Sequence, residues 1–99
     1  MTKQQILNAL LADLAGMTNQ ATSKDTAVSM GKSHYLYIEY SSAYGGYRIV
    51  NVGVSNGSHA GAFGGNGCEP RLPFKQMELK LRSLIAGAEY AMRNTMQQA

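Results

Sequence analysis

The stretch that decides the fold is HYLYIEYSSAYGGYRIVNVGV, residues 34–54. Apolar residues recur at every second position on either side of Tyr44, Gly45 and Gly46, the pattern of two strands joined by a turn. In the first half, His34, Leu36, Ile38 and Tyr40 share one face, and Tyr35, Tyr37 and Glu39 share the other. In the second half, Arg48, Val50, Val52 and Val54 share one face, and Tyr47, Ile49, Asn51 and Gly53 the other. Placing the valine face and the Leu/Ile face in a common core fixes the turn. A two-residue loop at Gly45 and Gly46 opposes Val52 to Glu39, which buries a carboxylate among valines. A three-residue loop of Tyr44, Gly45 and Gly46, or a five-residue loop of the same register, pairs Leu36 with Val54, Ile38 with Val52 and Tyr40 with Val50.

Working outward, Asn56 and Gly57 suit a type I′ hairpin, which pairs Val54 with His59, Val52 with Gly61 and Val50 with Phe63. Phe63 then joins the core. Toward the N-terminus, Thr2 and Gln5 stand at capping-box spacing ahead of Ile6, Leu7, Leu10, Leu11 and Leu14, which predicts a helix ending near Gly16. Residues 17–33 show no sustained period and read as a long connection with a short strand at TAVSM. Toward the C-terminus, Pro73 opens a helix running to about Met96, with Phe74, Met77, Leu81, Leu84, Ile85, Ala88 and Met92 as its apolar stripe. Glu78 with Arg82 and Glu89 with Arg93 are i,i+4 pairs on its wet side. The expected architecture is α+β: an N-terminal helix, a three-stranded antiparallel meander and a long C-terminal helix, both helices on one face of the sheet.

A chain of 99 residues is expected to form a single domain spanning 1–99. The 15% of charged residues is low for a globular protein, and nine Lys and Arg against six Asp and Glu give a scattered net charge of +3, a hint of an acidic partner. The lone Cys68 excludes an internal disulfide framework, and with His34 and His59 it falls short of a zinc-site spacing, so no metal is expected. No apolar run has the length of a membrane span, and the N-terminal residues are unlike a signal peptide. A cytoplasmic location is expected.

With both helices on the valine face, Tyr35, Tyr37, Tyr47, Ile49 and Asn51 are left on an open face beside Gly53, Ala60 and Ala62. Tyrosines lose little entropy when they anchor a partner, so the candidate partner-binding residues are Tyr35, Tyr37, Glu39, Tyr44, Tyr47, Ile49 and Asn51. The competing structural role is that Tyr37 covers Gly53 across the strands. The run SNGSHAGAFGGNG lacks the Lys-Ser/Thr ending of a P-loop and the spacing of a dinucleotide fingerprint, and reads as turns and a smooth strand. Cys68, His59 and Glu69 could form a nucleophile, base and orienter only with a geometry that a strand position for His59 does not supply. No enzymatic activity and no cofactor are expected.

A complete-looking chain of this size without a catalytic constellation resembles, in overall form, the small stand-alone inhibitors of host defence made by phages and mobile elements, such as anti-CRISPR proteins. The resemblance implies a binding protein that occludes a surface of a larger protein or nucleoprotein complex. The charge of +3 departs from the acidic, DNA-mimicking members of that class. The order helix, three strands, helix is similar to that of double-stranded RNA-binding domains, which implies a nucleic-acid-binding module as the alternative. Its last helix begins PFKQMELK and lacks the run of lysines that grips phosphates in that family. A C-terminal helix of the expected length outreaches the sheet and exposes Ala88, Ala91 and Met92, which either a second copy or residues 17–33 and the first helix would cover, so a monomer or a homodimer is expected.

Overall fold

The computed structural model of the chain describes residues 1–61 and 70–98. It is an α+β fold with an N-terminal helix, an antiparallel two-strand hairpin and a long C-terminal helix. Helix α1, Lys3–Met17, begins with the expected capping box: Thr2 Oγ1 accepts from the Gln5 amide at 3.1 Å, and Gln5 Oε1 accepts from the Thr2 amide at 2.8 Å. The helix runs past Gly16 to a cap at Thr18, where Asn19 takes the left-handed conformation with φ 55°. The Gln20 amide then returns to the Ala15 carbonyl at 2.9 Å, so asparagine performs the terminating role expected of glycine.

Residues 24–29 are not a strand. Helix α2, Lys24–Ser29, is capped by the Ser23 hydroxyl, which accepts from the Thr26 amide at 3.2 Å. With six residues and one buried side chain, Ala27, it is too short to carry a legible period.

Strands β1, His34–Ser41, and β2, Gly46–Gly53, pair antiparallel with Leu36 opposite Asn51, Tyr37 opposite Val50, Ile38 opposite Ile49 and Glu39 opposite Arg48. The loop therefore holds four residues, Ser42 to Gly45, and the expected register is wrong by an odd number of positions. That error turns β2 over. Tyr47 and Ile49 lie in the core with Leu36 and Ile38, while Val50 and Val52 lie on the opposite face beside Tyr37 and Tyr35. Two features pin this register. Gly45 and Gly46 both take positive φ, 92° and 129°, and a side chain at Gly46 would collide with the Leu72 carbonyl. Tyr47 and Leu72 exchange backbone hydrogen bonds of 2.8 and 2.7 Å, which lock the start of β2 to the segment entering the last helix.

A three-residue segment, β3, His59–Gly61, pairs with the far edge of β2, Val52 opposite His59 and Val50 opposite Gly61. The turn before it is wider than type I′. Gly57 has φ 67°, its amide reaches the Gly53 carbonyl at 2.9 Å, and the Asn56 side chain accepts from the Ser58 amide at 3.0 Å. The expected pairings of Val54 with His59, Val52 with Gly61 and Val50 with Phe63 are each displaced by two positions, because the wider turn brings His59 opposite Val52 and Gly61 opposite Val50. Ala62, Phe63, Cys68, Glu69 and the second half of the glycine-rich run lie outside the described residues.

Helix α3, Phe74–Gln98, packs beside α1, and both supply the core that covers Leu36, Ile38, Tyr47 and Ile49. Leu7, Leu36, Ile38, Ile49, Met77 and Leu81 are fully buried, each worth roughly 1.5–3 kcal/mol of transfer free energy. Phe74, Leu84, Ile85 and Ala88 pack on this cluster, whereas Met92, expected in the same stripe, is 48% exposed. The outer edge of β1 is partly closed: the Leu36 amide donates to the Ala21 carbonyl at 2.8 Å, and Gln4 Nε2 donates to the Ile38 carbonyl at 3.3 Å. Among the described residues no helix is long and apolar enough to cross a membrane.

Candidate functional site

The hairpin is the surface on which the expected contact residues can be tested one by one. Tyr35 and Tyr37 stand on the face away from the helices, Tyr35 half-buried and Tyr37 48% exposed. Tyr37 faces Val50 and not Gly53, so it does not serve as a cover for that glycine. Tyr44 sits in the loop and is 78% exposed. Tyr47 and Ile49 are core residues with 8% and 0% exposure and offer no contact surface, because the observed register turns them toward the helices. Asn51 turns the same way. It is half-buried and lines a cleft of about 310 Å³ with Gln20, Lys32 and His34.

Glu39 is the centre of an ion cluster. Its carboxylate meets the Arg48 guanidinium at 2.9 Å and His59 Nδ1 at 2.8 Å, and pairs with Arg71. Arg71 also donates to the Gly46 carbonyl at 3.3 Å and to the Glu39 carbonyl at 3.4 Å. One carboxylate thus ties together β1, β2, β3 and the segment that leads into α3. Burial raises the Glu39 carboxyl, but hydrogen bonds from Arg71 and His59 and the charges of Arg48 and Arg71 outweigh it, so its pKa lies below the ordinary glutamate value. A carboxylate held by two guanidinium groups and an imidazole is a poor proton acceptor, and its role is to brace the hairpin. His59, expected opposite Val54 on the valine face, belongs instead to this outer cluster, while His34 is exposed and meets the Ser33 hydroxyl at 2.9 Å.

At the tip of the hairpin the aromatic residues continue on the helix side. The Tyr40 ring lies 4.7 Å from that of Tyr47, whose ring meets Phe74 edge-on at 6.5 Å. Tyr40 was expected in the core and is 55% exposed, because α1 ends its cover of β1 before this residue. Lys3 Nζ lies 5.7 Å from the Phe74 ring, and the Arg71 guanidinium 5.9 Å from the Tyr44 ring. Between Lys3, Tyr40, Tyr47, Pro73 and Phe74 opens a cleft of about 300 Å³. The periodic pattern missed Tyr40, Arg48, Arg71 and Phe74 as parts of this surface. The one signal that could have found the cluster is the opposite charge of Glu39 and Arg48, nine residues apart on either side of a turn.

Among the described residues no group of three or more His, Cys, Asp or Glu side chains is placed to hold a metal ion. What the hairpin offers chemically is a set of rigid, partly exposed phenol rings edged by cations. No protein-family model matches the chain, and no curated protein and no solved structure matches it.

Proposed function

We propose that this protein is a non-enzymatic binding protein that acts by occluding a surface of a larger protein or nucleoprotein complex. The observation that carries the reading is the display of Tyr37, Tyr40 and Tyr44, 48%, 55% and 78% exposed, on a single hairpin. Exposed tyrosines on one element are ordinary singly, but Tyr37 on the outer face, Tyr40 on the helix side and Tyr44 in the loop give a partner that wraps the braced hairpin three anchors at little ordering cost. Tyr35 and the Glu39 cluster support the set from the outer face. The anti-defence inhibitors that the chain resembles in overall form, anti-CRISPR proteins among them, fit this mode of action, with the host-cell cytoplasm as the place where it operates.

Capture from the natural host with tagged protein, read by mass spectrometry, tests the proposal. A protein or nucleoprotein complex retained in stoichiometric amount is the expected result, and capture that survives mutation of all three tyrosines would overturn it.

The alternative, a nucleic-acid-binding module, draws on the cation and ring pairs at the tip, Lys3 with Phe74 and Arg71 with Tyr44, which resemble stacking platforms. Against it, Arg48 and Arg71 already spend their charge on Glu39. Binding to mixed duplex and single-stranded nucleic acid at two salt concentrations separates the two readings, since phosphate recognition is steeply salt-dependent.

A further inference from the structure

β1 is the outer strand of the sheet, and β2 pairs with one of its edges only. In an antiparallel ladder successive residues aim their amide and carbonyl alternately toward the partner strand and away from it. The Leu36 amide donates to the Ala21 carbonyl and the Ile38 carbonyl accepts from Gln4 Nε2, so Leu36, Ile38 and Tyr40 point away from β2, and Tyr37 and Glu39 bond to it. Among the described residues nothing meets the Ile38 amide or the amide and carbonyl of Tyr40. The Ile38 carbonyl has one long bond of 3.3 Å, from a Gln4 side chain that also donates to Asn8 Oδ1 at 3.0 Å.

Tyr37 and Tyr40 flank this open run from opposite faces, 48% and 55% exposed. A flat surface docked on the sheet meets one of them. A strand laid along the edge meets both, because its side chains alternate between the two faces. Beside the same run, α1 and β1 border a cleft of about 260 Å³ lined by Asn8, Leu11, Thr22, Leu36, Tyr37 and Ile38.

We propose that the edge of β1 from Ile38 to Tyr40 takes an extended segment of a partner protein as a further strand of the sheet. The pairing presupposes the binding role proposed above and adds what the partner must present. Its backbone completes the hydrogen bonds of Ile38 and Tyr40 and displaces Gln4 from the Ile38 carbonyl. Its residue opposite Ile38 points to the helix side, where the cleft has room for an aliphatic side chain, and a neighbour of that residue falls on the outer face against Tyr37. A second copy of the chain fits this edge less well. A twofold pair that sets Ile38 against Tyr40 places Glu39 opposite Glu39, and like charges directly opposite each other destabilise a ladder.

Amide hydrogen exchange of the free chain and of the complex that it captures from its host, quenched and read residue by residue, is the test. The Ile38 and Tyr40 amides are expected to exchange at least about tenfold more slowly in the complex, whereas those of Tyr37 and Glu39, bonded to β2, are protected in both states. Tyr40→Pro removes an amide that β2 does not use, so it is expected to keep its circular dichroism spectrum and to bind about tenfold more weakly than Tyr40→Ala, which loses the ring alone. A retained complex in which the Ile38 and Tyr40 amides exchange as in the free chain overturns the edge pairing and leaves the binding role in place, and so does equal binding by the two folded variants. Failure to retain any complex overturns both. Protection of these amides in the purified chain at high concentration, with sedimentation at twice 10.7 kDa, would overturn the pairing in favour of a second copy.

Discussion

Glu39 on β1 faces Arg48 on β2 with carboxylate and guanidinium 2.9 Å apart, and the same carboxylate takes Arg71 from the segment before α3. Both arginine side chains are largely shielded, 17% and 11% exposed, so removing their counter-charge leaves two cations poorly solvated. Glu39→Gln is expected to cost about 1–3 kcal/mol in urea unfolding at neutral pH. The depressed pKa of Glu39 adds a pH signature. A carboxyl whose folded pKa lies below its unfolded value, about 4.3, contributes stability that is present above that value and is lost as pH falls through the folded one. The gap between wild type and Glu39→Gln therefore narrows on acidification from pH 7 into that range, and a gap that stays constant across it would show that the cluster contributes nothing through charge.

Burial of Ile49 and Tyr47 makes a claim about register that stability measures directly. Ile49→Ala is expected to cost about 2–5 kcal/mol, as for other fully buried aliphatic side chains. Tyr37→Ala and Tyr44→Ala are expected to stay within about 1 kcal/mol of wild type. A mild Ile49→Ala, seen in denaturant midpoints, would mean that β2 presents its other face to the helices, and a severe Tyr37→Ala would mean the same of β1.

The two loop glycines separate strain from collision. Gly45 and Gly46 both have positive φ, but a methyl group at Gly45 meets open space, whereas one at Gly46 runs into the Leu72 carbonyl. Gly46→Ala is expected to destabilise by more than Gly45→Ala, and each by at least about 0.5–1 kcal/mol. Equal effects in thermal unfolding would release Leu72 from its assigned place against β2.

The parts of the fold that rest on local chemistry were legible in the sequence. The Thr2 and Gln5 capping box, the leucine stripe of α1 and the Phe74 to Ala88 stripe of α3 each depend on spacing within a few residues, and each stands where the spacing puts it. The register of the hairpin was not legible. Both rows of β2, Tyr47 with Ile49 and Val50 with Val52, are buried, so alternation could not say which row meets the helices. The premise that Glu39 must avoid the valine face failed: Glu39 shares that face with Val50 and Val52, and Arg48 opposite it supplies the counter-charge, which no pattern of apolar residues reveals. Helix α2 escaped notice because its evidence is one serine cap and one buried alanine. Of the candidate contact residues, Tyr37 and Tyr44 stand exposed and Tyr35 half-buried, in keeping with residue type on a surface element. Tyr47, Ile49 and Asn51 were misplaced by the same single inversion of register.

The central claim, that the tyrosines of the hairpin anchor a partner while contributing little to the fold, is tested most directly by the affinity of the triple variant Tyr37→Ala, Tyr40→Ala, Tyr44→Ala for the complex that the wild type captures. Each lost aromatic anchor costs about 2 kcal/mol or more when it sits in a binding centre, so the triple variant is expected to bind at least about a hundredfold more weakly while keeping its circular dichroism spectrum. Wild-type affinity in a folded triple variant would contradict the account and move the contact surface away from the hairpin.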